Sequence, residues 1–224
     1  MLTKKQIRFV LDTMGEMFPN AHCELIHNNA FELLIAVVLS AQTTDESVNR
    51  VTRTLFKKYK TPDDYLAVDV KELENDIRSI GLYRTKAKNI QKLCRILIEK
   101  YDRKVPRTRE ELMQLPGVGR KTANVVLSVA FGVPAIAVDT HVERVAKRLG
   151  FCRWKDSVLE VEKTLMKKIP EEEWSISHHR FIFFGRYHCK AQNPNCGECP
   201  LLTLCREGKK RMKKMEKEQL RKPK

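Results

Sequence analysis

Leu112 to Val126 reads LMQLPGVGRKTANVV, and Ala137 to Gly150 reads AVDTHVERVAKRLG. Pro116-Gly117-Val118-Gly119 separates a run with apolar Leu112 and Leu115 from a second run rich in Ala and Val. Glycines so close together permit positive φ and a close backbone approach. Thr108 and Glu111 fit a capping box, so the first helix is expected to run from near Arg109 to Pro116. A tight hairpin opening into a second helix leaves backbone N–H groups unpaired at a positive helix end, which makes an anion site. The plainer alternative is a helix-to-helix turn with no ligand.

Arg120 and Lys121 then occupy the first turn of the second helix, where a cation is electrostatically disfavoured. Helix stability does not explain them. An ordinary lysine, titrating at about 10.4, offers well under about one part in a thousand of free amine at neutral pH. Burial, a cationic neighbour and a positive helix end all favour the neutral, nucleophilic form. Lys121 is therefore a candidate nucleophile, the alternative being a surface lysine that binds phosphate. Asp139 falls at or beside the start of the helix in AVDTHVERVAKRLG, for which Thr140 and Glu143 can form the capping box and Gly150 the end. Capping is what most aspartates at such positions do. A carboxylate held by helix N–H groups also stays ionised, as is needed to steady positive charge on a departing sugar.

Cys189, Cys196, Cys199 and Cys205 follow the pattern C-x6-C-x2-C-x5-C, with Pro194, Gly197 and Pro200 shaping the loop. Four of the seven cysteines gathered so tightly point to a metal or cluster site. Four thiolates suit a tetrahedral zinc or a four-iron cluster; zinc sites usually have two short knuckles where this loop has one, and spacing alone leaves both open.

The hairpin LPGVGRKTANVV followed by VDTH resembles the helix-hairpin-helix and Gly/Pro-Asp signature of DNA glycosylases, and with the cysteine pattern the chain resembles the endonuclease III family over residues 1 to 207. The resemblance implies an all-α fold of two helical lobes with DNA in the cleft between them. One lobe, residues 23–133, is a helical bundle with the hairpin at about 108–127; the other joins residues 1–22 to 134–207 and holds a 4Fe-4S cluster on the four cysteines. It further implies a bifunctional DNA glycosylase and abasic-site lyase of base excision repair, removing oxidised pyrimidines through a Schiff base on Lys121 with Asp139 assisting. By matching position, Gln42 and Leu82 would fill the gap left by the flipped base, and Gly117, Val118, Gly119 and Arg120 would hold backbone phosphate. The related adenine-mismatch glycosylases lack a lysine at the position of Lys121 and carry an extra C-terminal domain. A rival from another class is a non-catalytic DNA-binding module that uses the hairpin as a phosphate clamp.

Bulk properties agree with a polyanionic partner. The 224 residues include 43 Lys and Arg against 28 Asp and Glu, a net charge of +15, and the pI is about 9.6. Nine basic and two acidic residues lie from Gly208 to Lys224, so that tail holds +7 and the body keeps +8. The tail is expected to be a disordered basic arm adding salt-sensitive affinity. Aromatic content of 7% argues against base stacking as the main mode. An apolar content of 42% supports a real core. No apolar stretch reaches the roughly 18 residues of a membrane span, and the N-terminus lacks a signal peptide's apolar core. A cytoplasmic, nucleoid-associated monomer acting on duplex DNA with damaged pyrimidines or abasic sites is the expectation.

Elsewhere the chain reads as short helices. Lys4 to Phe18 has Ile7, Val10, Leu11 and Met14 at helical spacing. Phe31 to Leu39 (FELLIAVVL) could be a buried strand, but its continuation favours helices broken near Thr43 and Asp45, which puts Gln42 on a polar loop. Thr61-Pro62-Asp63-Asp64 and Asp69 with Glu72 read as helix starts. Sliding RSIGLYRTKAKNI by 36 residues lays Gly81, Arg84 and Ala87 on Gly117, Arg120 and Ala123, a weak echo of the hairpin that exposes Leu82 and has Thr85 where the second copy has Lys121. Cys94 belongs on the apolar face of a helix over Ala87 to Tyr101 and reads as core. Ser157 with Glu160 starts another helix, and Glu171 to Phe184 a last long one, on which one of His178 and His179 should pack while the other is solvated. Cys23 and Cys152 are assigned no function.

Overall fold

The structure, a computed structural model, describes residues 2–220, with side chains through 217. Every regular element among the described residues is helical, and the chain divides into two compact units, Cys23–Ala135 and Met1–His22 with Ile136–Lys224.

α1 (Lys4–Met17) begins at a Thr3–Gln6 capping box and buries Ile7, Val10, Leu11 and Met14 on one stripe. The first unit then opens with α2 (Ala30–Leu39), the segment whose apolar run was ambiguous between strand and helix. Asn29 settles its start by accepting from the Glu32 amide, and all nine residues from Phe31 to Leu39 are buried. A helix buried on every side is the centre of a bundle. Burial of each Leu, Ile or Val contributes about 1.5–3 kcal/mol, so this one helix is a principal anchor of the unit. Glu32 is tolerated inside because its carboxylate accepts from the Asn28 amide at 2.7 Å and the Asn28 side chain at 2.9 Å.

Around it lie α3 (Asp45–Lys58), α4 (Pro62–Leu66), α5 (Val70–Asp76), α6 (Tyr83–Tyr101), α7 (Arg109–Leu112) and α8 (Arg120–Phe131). α3 buries Val48, Val51 and Leu55. α4 starts at a Thr61–Asp64 capping box with Pro62 in its first turn. α6 buries Ala87, Ile90, Leu93, Cys94 and Leu97, so Cys94 is a core residue, its thiol pushed up by burial. α8 packs on α2 through its Ala and Val face and ends at Gly132, φ +65°.

The second unit adds α9 (Thr140–Leu149), α10 (Val158–Lys168), α11 (Trp174–Phe183) and α12 (Arg206–Leu220) to α1. Its core joins Val10, Leu11 and Met14 to Val142, Val145, Leu149, Phe151, Val161, Leu165, Phe181 and Phe184. α10 begins at the Ser157–Glu160 capping box. Three expectations are corrected here. The predicted helix Glu171 to Phe184 is a 3₁₀ turn (Glu171–Glu173), then α11, then a π-helical turn (Phe184–His188). A Cβ on Gly185 would sit 2.9 Å from His141 Cβ, so α11 runs into α9 there and the widened turn accommodates the approach. His178 packs as expected, but His179 is half-buried rather than solvated, and that burial pushes it down to about 4. The tail is not a disordered arm as far as residue 220, since Arg206–Leu220 is helical; Arg221 to Lys224, the rest of that expected arm, lie outside the described residues. Local support explains the order. Cys205 stands in the N-cap place, its carbonyl accepting from the Lys209 amide at 3.1 Å and its sulfur from the Gly208 amide at 3.2 Å, and Glu207 pairs with Arg211 one turn on.

Candidate functional site

In the first unit, the hairpin is built from α7, a run of turns, and α8. Thr108 accepts from the Glu111 amide and starts α7, which is shorter than expected and stops at Leu112 because the chain tightens into turns, Leu115 N–H to the Leu112 carbonyl and Val118 N–H to the Leu115 carbonyl. Of the two glycines only Gly117 is left-handed, at φ +82°, and a Cβ there would press on Asn89 Nδ2 at 3.3 Å and Val38 Cγ1 at 3.4 Å. Gly119 is extended, at φ −90°, and a Cβ on it would meet nothing within 4 Å. The first glycine thus makes the turn, and the second leaves open space where another backbone can come close.

Gly119 is also the N-cap of α8, which has no side-chain cap. The Gly119, Lys121 and Thr122 amides find no acceptor among the described residues, so the positive end of α8 stands open to an anion. Val118 is buried beneath the turn, while Arg120 is half-buried. Arg109 donates to the buried Asn124 side chain at 2.7 Å and ties the two helices of the hairpin together. Lys121 is exposed and has no ion-pair partner among the described residues. The burial expected around it is not supplied by the protein's own side chains; the positive helix end and Arg120 beside it are present.

The loop between α2 and α3 and the turn before α6 come together in the same unit. Gln42 (φ +55°) and Leu82 (φ +59°) are two of the few non-glycine residues in left-handed backbone, and both are exposed, Leu82 to 59%. A Cβ on Gly81 would lie 3.6 Å from the Gln42 carbonyl oxygen, which measures how closely the two turns approach. Holding leucine in that conformation costs about 1–2 kcal/mol, and exposure of its side chain returns nothing.

Lys86 braces this pair and was not singled out in the sequence. It is buried to 5% exposure, and its Nζ donates to the Leu39 carbonyl at 2.8 Å, the Ala41 carbonyl at 2.6 Å and Thr43 Oγ1 at 3.2 Å. Burial pushes its ammonium down, but all three donors are committed to oxygen, so the nitrogen carries no lone pair to react.

In the second unit, Asp139 is the N-cap of α9. Its Oδ1 accepts from the His141 amide at 2.9 Å and the Val142 amide at 2.8 Å. The Thr140–Glu143 capping box is therefore corrected: the cap lies one residue earlier, and Glu143 instead pairs with Lys147 at 2.6 Å. Both cap bonds fall on one oxygen, and Oδ2 has no hydrogen-bond partner among the described residues. The half-buried carboxylate is fixed in direction with one oxygen left available. Lys121 belongs to the first unit and Asp139 to the second.

Also in the second unit, Cys189, Cys196, Cys199 and Cys205 line one cavity, in part open to solvent, together with Arg148, His188 and Arg211. None of the four is paired in a disulfide. Burial pushes Cys199 up to about 11 and Cys196 and Cys205 in the same direction, so a cation that binds here must expel protons. No three His, Cys, Asp or Glu side chains among the described residues converge on the position of a single ion. Four thiols lining one cavity are a donor set that fits an iron-sulfur cluster. The shell also fits. Arg148 donates to the Lys190 carbonyl at 2.7 Å and the Ala191 carbonyl at 3.1 Å, with Nη1 3.4 Å from Cys189 Sγ, and Arg144 holds the Cys189 and Gly185 carbonyls. Arg148 Nε and His188 Nε2 are buried without partners among the described residues, suited to acceptor sulfur. The i, i+4 spacing of Arg144 and Arg148 on an otherwise amphipathic helix was the available signal for them.

Residues 35–171 match the family model described as HhH-GPD superfamily base excision DNA repair protein, and residues 189–205 match the iron-sulfur binding domain of endonuclease III. The chain accordingly carries a 4Fe-4S cluster. The chain is 73% identical to endonuclease III of Bacillus subtilis (strain 168) over 214 residues, covering 96% of this chain and 98% of that one. It is similar, at TM-score 0.93 and 78% identity, to the protein in a trapped endonuclease III–DNA covalent intermediate, over 95% of this chain and 100% of that one. The protein in a non-covalent endonuclease III–DNA complex matches over the same shares of both chains, at TM-score 0.93 and 77% identity. With the open hairpin, the capped aspartate and the cysteine-lined cavity, the chain belongs to the endonuclease III family of HhH-GPD base excision DNA glycosylases.

Proposed function

We propose that the protein removes oxidised pyrimidines from duplex DNA and cleaves the backbone 3′ to the resulting abasic site, acting as a cytoplasmic, nucleoid-associated monomer. The carrying observation is Lys121, an exposed amine without an ion-pair partner among the described residues, at the start of a helix with no side-chain cap. Its desolvation is then left to the bound substrate, which excludes water as the site fills.

The damaged nucleotide flips out of the stack. Gln42 and Leu82, held together at the edge of the first unit, fill the space it leaves. The Gly117, Val118 and Gly119 segment and Arg120 take a backbone phosphate, and the open amides at the start of α8 complete that grip. The Lys121 nitrogen attacks C1′ as the C1′–base bond breaks, and the base leaves with the bonding pair and takes up a proton. In this proposal the Asp139 carboxylate steadies the positive charge that develops on the sugar, its Oδ1 staying fixed by the α9 amides. Ring opening gives an iminium between Lys121 and C1′; loss of a C2′ proton then expels the 3′ phosphate by β-elimination. When bound, the cluster ties four points of the 189–205 loop together and supplies folding energy, with no reacting atom.

Borohydride should reduce the iminium and leave Lys121 covalently bound to DNA. Wild type should nick duplex containing an abasic site and Lys121→Gln should not; a protein that only clamps phosphate would nick in neither form.

A further inference from the structure

α12 presents a feature that neither the hairpin nor the cluster uses. At about 100° per residue, Arg206, Lys209, Lys210, Lys213 and Lys217 fall within an arc of about 100°. All five are exposed, and none has an ion-pair partner among the described residues. The opposite side is inward: Gly208 is buried, Arg211 and Met212 are half-buried, and Arg211 lines the cluster cavity. The helix is thus oriented, with one face against the protein and one face of nearly uniform positive charge.

Such a stripe works against its own helix. Lys209, Lys213 and Lys217 repeat at i, i+4, i+8 and Arg206 stands four before Lys210, spacings at which like charges destabilise. Arg206 and Lys209 also crowd a helix end that is already positive. The compensating contacts inside the chain are the Glu207–Arg211 pair and the cap, and that cap is a cluster ligand: Cys205 Sγ accepts from the Gly208 amide at 3.2 Å. A Cβ on Gly208 would stand 3.4 Å from that sulfur and 2.9 Å from Leu202 Cδ1, so glycine lets the first turn close on it.

We propose that this face of α12 is a second DNA-binding surface, taking the phosphates of undamaged duplex, separate from the hairpin that holds the lesion strand. The proposal rests on the reading of DNA as the partner. Five cations spread over about 16 Å of helix suit a polyanion whose charges repeat along a line. A lipid surface is a poorer fit, because a helix lying in a membrane needs an exposed apolar face and Met215 is the one large apolar side chain exposed between residues 206 and 217.

The test uses full-length, cluster-loaded protein, with equal cluster absorbance in every variant, and measures affinity for undamaged duplex as a function of salt. Replacing Lys209, Lys210, Lys213 and Lys217 by Gln should lower the log–log salt slope by about 3–4. Between 50 and 200 mM salt wild type should then lose about a hundredfold more affinity than the variant, and the four-Arg version should follow wild type. Borohydride trapping at Lys121 on a short lesion duplex should persist in all three. An unchanged slope in the Gln variant overturns the proposal and leaves the lyase reading standing. A slope lost equally in the Arg version overturns it too, since charge would not be the cause. Wild type that fails to bind duplex at all removes both, and salt-dependent binding to anionic vesicles but not to duplex assigns the face to lipid instead.

Discussion

The turn before α6 and the turn before α8 are two copies of one idea, and their lysines have opposite fates. Lys86 and Lys121 sit on adjacent registers of the 36-residue echo: Lys86 falls on Thr122, and Thr85 on Lys121. One step along a helix turns a side chain by about 100°. That step sends Lys86 inward, where three oxygens accept hydrogen bonds from its ammonium, and leaves Lys121 exposed with no ion-pair partner among the described residues. Burial, which was expected to favour a reactive amine at Lys121, acts instead at Lys86, and there it accompanies a purely bracing role. A desolvated lysine is not a nucleophile when every donor is engaged; an exposed one at a positive helix end becomes reactive only when something covers it.

The largest effect should come from breaking the reactive copy. Lys121→Gln should reduce nicking of abasic duplex by about a thousandfold or more, while the unfolding free energy changes by no more than about 0.5 kcal/mol, since the side chain is exposed. Covalent trapping that survived in this variant and mapped to Lys86 would reverse the contrast.

The bracing copy should show the complementary pattern. Lys86→Met leaves two carbonyls and a hydroxyl around the Gln42 loop without their donor and should cost about 2–4 kcal/mol in denaturant unfolding. Each folded molecule should still form the borohydride adduct at Lys121, with processing of lesion duplex reduced because Gln42 is no longer held. Unchanged stability would mean that the three hydrogen bonds are not the reason the loop keeps its shape.

What the sequence disclosed follows the range of the interaction. The helix starts at Thr61 and Ser157 are written within four residues and were read correctly. The cysteine spacing is also local, and it pointed to a metal centre before any geometry was known. FELLIAVVL was ambiguous because a segment buried on all sides has no periodicity to show, and the sequence favoured helix only through its continuation, whereas the structure shows Asn29 capping it. Lys86 was invisible because its acceptors lie 43 to 47 residues earlier. The order of α12 was missed for a related reason, since its cap is a cysteine whose sulfur also lines the cluster cavity, and propensity counts a cysteine there as no cap at all.

The two turns themselves allow a smaller test. Gly117→Ala forces a side chain into left-handed backbone, against Asn89 and Val38, and should cost about 1–2 kcal/mol. Gly119→Ala has open space around it and should leave stability within about 0.5 kcal/mol while weakening DNA binding, because the added methyl would stand in the proposed phosphate site. Equal stability losses at both glycines would show that the two do not divide the work of turning the chain and admitting the ligand.

The smallest effect should be at Leu82, where the first copy accepts a cost the second avoids. At the matching position the second copy has Val118, which is buried; Leu82 is in left-handed backbone and exposed to 59%. Glycine relieves that conformation and gives up little burial, so Leu82→Gly should leave the protein as stable as wild type or more so, by up to about 1 kcal/mol in denaturant unfolding. Affinity for lesion duplex should fall at the same time, because no side chain remains to enter the stack. A mutation that raises stability and lowers binding marks a residue kept for its ligand. Should Leu82→Gly instead destabilise the protein with binding unchanged, the exposed leucine would be part of the fold, and the strained turn would owe its shape to packing alone.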